Sequence, residues 1–319
     1  MSSGRSSGAR TPGSSSTCSV ATGIRVERGQ EGMMRQVCGL SEDGMTIVLR
    51  HFIGGVGCDE MRGGDAPKRL LVVDVETTGL DAEADRIIEF AAAELLFTGD
   101  GRIVKHLGTH GWLEDPGRPI PDEVTAITGI ADADVHGRTI PARAEELVHD
   151  ADLIVSHNAS FDWPFCRRKW PDAIDEKVWA CSLRQIDWAG WGFPAQKQEL
   201  LARFHGYFYD AHRAEIDVEA LVKLLQMQPE LHAPRYLAQL VAYTKDTRYR
   251  LVAVGTPFAA KDELKQHGYS WDPERRAWWS TASESEMPVE QGWLQDLYGR
   301  YRCSRSPVIQ KIDPRQQWA

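Results

Sequence analysis

No stretch of this chain stays apolar long enough to cross a membrane or to act as a secretion signal, so a cytoplasmic setting is expected. Cysteine is sparse. Cys18, Cys38, Cys58, Cys166, Cys181 and Cys303 form no Cys-x-x-Cys pair and no zinc-like cluster with histidine, so free thiols are expected rather than a disulfide framework or a structural zinc. An excess of positive charge is also missing: 37 Lys and Arg stand against 46 Asp and Glu, a net charge of -9. That balance disfavours a protein that holds nucleic acid over a broad basic face. It leaves room for one that holds a few phosphates through bound cations.

What is present is a core-forming composition, 42% hydrophobic, and an acidic pair in an unusual place. Leu70-Leu71-Val72-Val73 runs directly into Asp74-Val75-Glu76-Thr77-Thr78-Gly79-Leu80. Side chains alternate along a strand, so Asp74 and Glu76 point the same way while Val73 and Val75 face the opposite layer. A solvated edge strand is the ordinary reading of an isolated Asp-x-Glu. Four aliphatic residues ahead of it indicate a central, buried strand instead. Two like charges held side by side repel, and a divalent cation with a preference for hard oxygen ligands, magnesium or manganese, relieves that repulsion.

Two further segments add carboxylates. Leu153 to Ser156 reads as a short buried strand running through His157 and Asn158 into a helix with Asp162 in its first turn. In Tyr209 to Leu221 the spacing of Ile216, Ala220 and Leu221 suggests a helix with Asp217 on or beside its inner face. Taken singly, Asp162 reads as a charge favoured by the helix dipole and Asp217 as a solvated helix residue. Their joint order along the chain is less ordinary.

In that order the sequence resembles the DEDDh-type 3′-5′ exonucleases of the ribonuclease-H-like superfamily, the group that includes the proofreading subunit of bacterial replicative DNA polymerase. The motif Asp-x-Glu-Thr-Thr-Gly-Leu is matched at Asp74 to Leu80, His-Asn-x-x-Phe-Asp at His157 to Asp162, and His-x-Ala-x-x-Asp at His212, Ala214 and Asp217. The related tyrosine subclass would place Tyr where Arg213 stands. The resemblance implies a mixed five-stranded α/β sheet flanked by helices, and catalysis by Asp74, Glu76, Asp162, His212 and Asp217. It implies two divalent cations, Mg2+ or Mn2+, on Asp74, Glu76, Asp162 and Asp217, with His212 as general base. Such an arrangement suits phosphodiester hydrolysis, because cations about 4 Å apart neutralise phosphoryl charge, activate water and stabilise the leaving oxygen. An imidazole with an ordinary pKa near 6.5 is available in its neutral form to take the proton. The resemblance further implies substrate contacts from Thr77, Leu80, His157 and Asn158. For Leu80, wedging against the terminal base and ordinary packing are both open.

Along the chain, residues 1–66 are rich in Ser, Gly and Arg or only patchily apolar, and are expected to be poorly structured apart from a short strand in Met45 to Phe52. Met61 is an alternative start of translation, and a natural tail is the other reading. Residues 67–244 are expected to form the exonuclease domain, with its first strand central. Residues 245–302 are expected to form a small α+β module: a strand at Leu251 to Val254, a helix at Ala259 to His267 and a hairpin over Tyr269 to Trp279, with a flexible tail over 303–319. Trp271, Trp278 and Trp279 could stack on bases; a module of this size also needs large aromatics for its only core, the preferred reading for at least two of the three.

The leading expectation is therefore a metal-dependent 3′-5′ exonuclease acting on single-stranded DNA ends. The alternatives are an exoribonuclease trimming short RNA, a polymerase-associated proofreading subunit and, last, a non-catalytic nucleic-acid-binding protein. Expected partners are single-stranded DNA or RNA 3′ ends, and a DNA polymerase or repair protein docking on the C-terminal module, with no membrane. Because the residues after Gln226 read as a folded module rather than a long Gln- or Pro-rich linker, a stand-alone or repair role ranks somewhat above a replisome subunit.

Overall fold

The computed structural model describes residues 49–319 except 274, 316 and 319, together with the backbone of strands β1 (Cys18–Ser19), β2 (Arg25–Arg28), β3 (Met34–Leu40) and β4 (Thr46–His51). The central body begins with three antiparallel strands, β5 (Lys68–Thr77), β6 (Ile87–Phe97) and β7 (Ile103–Leu113). Helices α1 (Asp122–Thr128), α2 (Asp132–Val135) and α3 (Ala142–Asp150) lead into β8 (Leu153–Ser156). Then come α4 (Ala159–Lys169), α5 (Pro171–Asp175), β9 (Trp179–Cys181), α6 (Ser182–Gln185), α7 (Gln198–Phe204), β10 (Tyr207–Phe208), α8 (Ala214–Leu225) and α9 (Tyr236–Lys245). Sheet order is β7-β6-β5-β8-β9, with β8 and β9 parallel to β5. The expected mixed five-stranded sheet with its first strand in the middle is thus observed.

Alternation along β5 sets the layers. Leu70 and Val72 pack into a cluster with Val218, Leu221 and Val222 of α8 and Leu237 and Leu240 of α9. Leu71, Val73 and Val75 face the other way, against Leu147 and Val148 of α3, Trp163 and Phe165 of α4 and Ile174 of α5. Asp74 and Glu76 continue the row of Leu70 and Val72, so the strand turns acidic on the face that α8 covers. Among the described residues no helix is long and apolar enough to cross a membrane.

Two expectations are corrected. Residues from 46 onward are part of the body: β4 pairs in parallel with β10, matching Arg50 to Tyr207 and His51 to Phe208. Leu49 and Phe52 are buried, and Asp59 and Asp65 form ion pairs with Arg235 and Arg102. The backbones of β1, β2 and β3 extend this pairing into a sheet of order β1-β2-β3-β4-β10, and the other residues before 46, expected to be poorly structured, fall outside the described residues. Residues 303–319 are not a free tail either. Here β14 (Val308–Lys311) joins an antiparallel sheet of order β12-β13-β11-β14, with β11 (Arg248–Ala253), β12 (Ser270–Asp272) and β13 (Ala277–Ser283). Beyond it, Gln317 Nε2 and Trp318 Nε1 both donate to the carbonyl of Trp179, at 2.6 and 2.8 Å.

The small module closes around α10 (Lys261–Gln266) and α11 (Met287–Arg300). Its core is Leu251, Leu264, Tyr269, Leu294, Leu297 and Tyr298, with Trp278 and Trp293 against it. Of the three tryptophans considered from sequence, only Trp278 joins this cluster. Trp271 is 49% exposed, and Trp279 lies with the Arg250 guanidinium 5.3 Å from its ring centroid.

Candidate active site

Carboxylate oxygens of Asp74, Glu76 and Asp217 lie within 4.8 Å of one another. The first two come from β5. The third comes from the first turn of α8, which packs over that strand. Asp162, almost wholly buried in the first turn of α4, sits close enough to Asp74 to raise its pKa. The four acids expected from three segments therefore converge.

Burial is the largest influence on every member of the group, and for Asp74 and Glu76 repulsion by neighbouring carboxylates adds to it. Asp74 is pushed well above the ordinary carboxylate range by burial and then by Asp162, Asp217 and Glu76. Glu76 is pushed up to about 8 by burial and then by Asp217 and Glu89. Asp162 rises to about 7 by burial, against hydrogen bonds from Ser156 and the backbone. Asp217 rises to about 6, again by burial, restrained by hydrogen bonds from the Tyr209 hydroxyl and the His212 backbone N–H. Such a set of hard oxygen donors, all disfavoured as charges by burial and two of them, Asp74 and Glu76, also by their neighbours, fits divalent cations and is costly without them.

His212 precedes α8 in a left-handed conformation, φ 71°. Its backbone N–H donates to Asp217 Oδ2 at 2.8 Å, and Arg213 N–H donates to the same oxygen at 3.2 Å. One carboxylate thus belongs to the acidic cluster and also fixes the turn that carries the histidine. The imidazole is about half exposed, with Nε2 3.6 Å from Glu199 Oε1.

Sequence reasoning missed Glu89. It is 2% exposed on β6, directly across the ladder from Glu76. Its Oε1 accepts from Arg213 Nη2 at 3.2 Å, and its Oε2 accepts from the Ala214 backbone N–H at 3.1 Å. The signal was an acid, one of only two with Glu94, inside the otherwise apolar run Ile87 to Phe97. Tyr209 and Gln198 were missed as well: Gln198 Nε2 donates to the Tyr209 hydroxyl at 2.9 Å and to the Asp217 carbonyl at 2.8 Å.

The residues after the acidic pair form a braced lip. Thr77 Oγ1 donates to the Gly79 carbonyl at 2.5 Å. Asp85 accepts from Thr78 Oγ1 at 3.0 Å and from Arg118 Nη2 at 2.5 Å, and Arg168 Nη1 donates to the Ala82 carbonyl at 2.6 Å. A Cβ at Gly79 would lie 2.3 Å from Asp85 Oδ2, so a side chain there would displace the carboxylate that braces the lip. From this lip Leu80 projects with 87% exposure. Of its two readings, core packing is not what is observed.

His157 and Asn158 stand at the end of β8. His157 Nε2 is 2.8 Å from the Gln196 carbonyl and Nδ1 is 2.8 Å from Ser182 Oγ. A carbonyl only accepts, so Nε2 carries the proton and Nδ1 accepts from the serine. Burial lowers the imidazole pKa to about 4, so it stays neutral. Both ring nitrogens are thus used within the protein, and Asn158 Oδ1 accepts from Ser160 Oγ at 2.8 Å.

Residues 71–225 match the exonuclease family RNase_T. The chain is 32% identical over 173 residues to the DNA polymerase III PolC-type of Listeria monocytogenes, covering 50% of this chain and 12% of that one. It is 30% identical over 163 residues to the PolC-type enzyme of Streptococcus pyogenes, again about half of this chain but 11% of the other. The match therefore spans only a small part of these relatives. Among solved structures, exonuclease X in complex with 5′ overhanging duplex DNA is 23% identical with a TM-score of 0.38, covering 55% of this chain and 91% of that one. The zinc-bound E. coli ExoI–ssDNA complex is 14% identical with a TM-score of 0.47, covering 79% and 66% respectively.

Proposed function

We propose that this chain removes nucleotides stepwise from the 3′ end of single-stranded DNA, a reading supported by the match of residues 71–225 to the exonuclease family RNase_T. The observation that carries the reading is the convergence of Asp74, Glu76 and Asp217 within 4.8 Å, with Asp162 against Asp74 and His212 tied to Asp217.

In this reading Asp74, Glu76, Asp162 and Asp217 hold two magnesium or manganese ions, which supply charge neutralisation at phosphate and a more acidic water. The chain's own residues do the rest. His212 accepts the proton of the attacking water. The water oxygen forms the new bond to phosphorus while the bond from phosphorus to the 3′-oxygen of the penultimate nucleotide breaks, and that oxygen takes up a proton. A nucleoside 5′-monophosphate and a strand one residue shorter are released. Leu80, held out by the braced lip, rests against the terminal base, and Thr77 borders its sugar and phosphate. Contacts of this kind read a free end rather than a base sequence.

Incubation of the purified chain and Mg2+ with 5′-labelled single-stranded DNA, duplex DNA and RNA of one sequence tests the proposal. A ladder shortening from the 3′ end is expected, strongest on single-stranded DNA and absent in Asp74→Ala. Full activity of Asp74→Ala, or cleavage without metal, would overturn it. Faster loss of the RNA would move the substrate to the exoribonuclease reading. The likeness to PolC-type polymerases favours a second reading, proofreading beside a polymerase; preferential removal of a mismatched 3′ terminus during primer extension by an added polymerase supports it.

A further inference from the structure

The C-terminal module carries aromatic surface that its own core does not use. Trp271 lies on the edge strand β12, opposite Trp278 in the ladder, so both rings occupy one face. The rings meet edge to face, 5.6 Å apart at 62°, which leaves Trp271 49% exposed. The turn joining β12 to β13 presents exposed Arg275 and Arg276, the latter in a left-handed conformation at φ 48°.

The charge of the region fits the same picture. From Lys245 to the end, 12 Lys and Arg stand against 10 Asp and Glu, a small positive excess in a chain of net charge -9. The hairpin offers one exposed ring with two exposed arginines on the adjoining turn, Arg275 held by Asp272 through its backbone N–H at 2.9 Å and its guanidinium at 3.8 Å, and a ring beside guanidinium groups suits a nucleobase with its phosphates.

The module is also fastened to the nuclease body. Gln317 and Trp318 hold the Trp179 carbonyl, Gln185 Nε2 donates to Gln317 Oε1 at 3.0 Å, and the Arg248 guanidinium lies 4.1 Å from the Tyr243 ring centroid. Two sites fixed relative to each other strengthen binding only of a strand long enough to reach both.

We propose that the β12–β13 hairpin is a second binding site for single-stranded nucleic acid, in which Trp271 stacks on a base and Arg275 and Arg276 hold phosphates of the strand upstream of its 3′ end. The idea rests on the exonuclease reading, and the test separates the two. Binding of the full chain to fluorescent oligo-dT with phosphorothioate 3′ ends is measured by anisotropy in Ca2+, using strands of about 4 and about 20 nucleotides. In Trp271→Ala and in the double variant Arg275→Ala/Arg276→Ala, affinity for the long strand should fall about 5- to 150-fold. Affinity for the short strand and turnover on it in Mg2+ should stay at the wild-type level, and Trp271→Phe should restore most of the long-strand affinity. An oligo-U of the longer size, run in parallel, tells DNA from RNA. Unchanged long-strand affinity in Trp271→Ala would overturn the proposal and assign the surface to protein contacts; an equal loss for both lengths would also overturn it. A wild-type chain that binds long strands through Trp271 but fails to shorten them in Mg2+ would sink the exonuclease reading and leave this one standing.

Discussion

Glu89 stands directly across the ladder from Glu76, and the two carboxylates have opposite duties. Glu76 joins the acidic cluster, while Glu89 is spent on Arg213 and on the first N–H of α8. A buried carboxylate at a helix N-terminus, paired with arginine, is stabilised where its neighbour is not. The result is a clamp from the central sheet to the turn that carries His212.

Glu89→Gln should loosen that clamp without removing any proposed metal ligand. Turnover is expected to fall by up to about 100-fold, the scale of a displacement of about 1 Å at a reacting group. Metal-dependent thermal stabilisation and KM should change little. A variant with normal turnover but weakened metal response would show that Glu89 acts on the cation site instead.

The acidic cluster makes stability depend on pH in a stated direction. Folded-state pKa values of about 8 for Glu76, about 7 for Asp162 and about 6 for Asp217 lie above those of unfolded carboxylates. The native state therefore binds more protons than the unfolded one, and this contribution is full below pH about 4 and is lost as pH rises through about 6 to 8. In EDTA the melting temperature should decline over that window, by on the order of 5 °C. Mg2+ should reverse the trend, with a stabilisation that grows as pH rises. Calorimetry at several pH values with and without metal checks both slopes, and Asp74→Asn should flatten the metal response.

Leu80 is exposed to 87%, so truncating it removes almost no buried surface. Leu80→Ala should leave the melting temperature within about 1 °C of the parent. If the side chain rests on the terminal base, KM for single-stranded ends should rise several-fold with turnover largely retained. Steady-state kinetics on one oligonucleotide distinguishes this from an inert surface leucine, for which neither constant would move.

How far the molecule could be read from its sequence follows from the range of the interactions. Asp74 and Glu76 were legible because strand alternation and an apolar lead-in are local signals. The antiparallel opening, the central place of β5 and the small module's hairpin were legible for similar reasons. Glu89 was not, because its meaning lies in Arg213, 124 residues away. The strand β14 has only four residues, and α11 contains Gly292 and Gly299 and buries little beyond Leu294, Leu297 and Tyr298. Neither pattern stands out until the rest of the module is assembled. The fit of the N-terminal segment was hidden by its partner, the two-residue strand β10.

That hidden pairing supports the last prediction. Phe52 is 6% exposed, lies edge-on to Tyr207 at 5.9 Å, and has the Lys223 ammonium 4.4 Å from its ring centroid. The residues after Tyr207 are Phe208, Tyr209 and, three further on, His212, so β10 leads straight into the turn beside the acidic cluster. Phe52→Ala should destabilise the chain by about 3 to 5 kcal/mol through loss of buried surface and the cavity left behind. Deletion of residues 1–66 should lower stability at least as much, since it also removes β4 and the ion pairs of Asp59 and Asp65. Turnover of the truncated chain, measured well below its own melting temperature, should fall because the Tyr209 hydroxyl bonded to Asp217 and the His212 turn both follow from β10. A truncated chain with parental melting temperature and turnover would mean that the nuclease body orders β10 without the N-terminal strand.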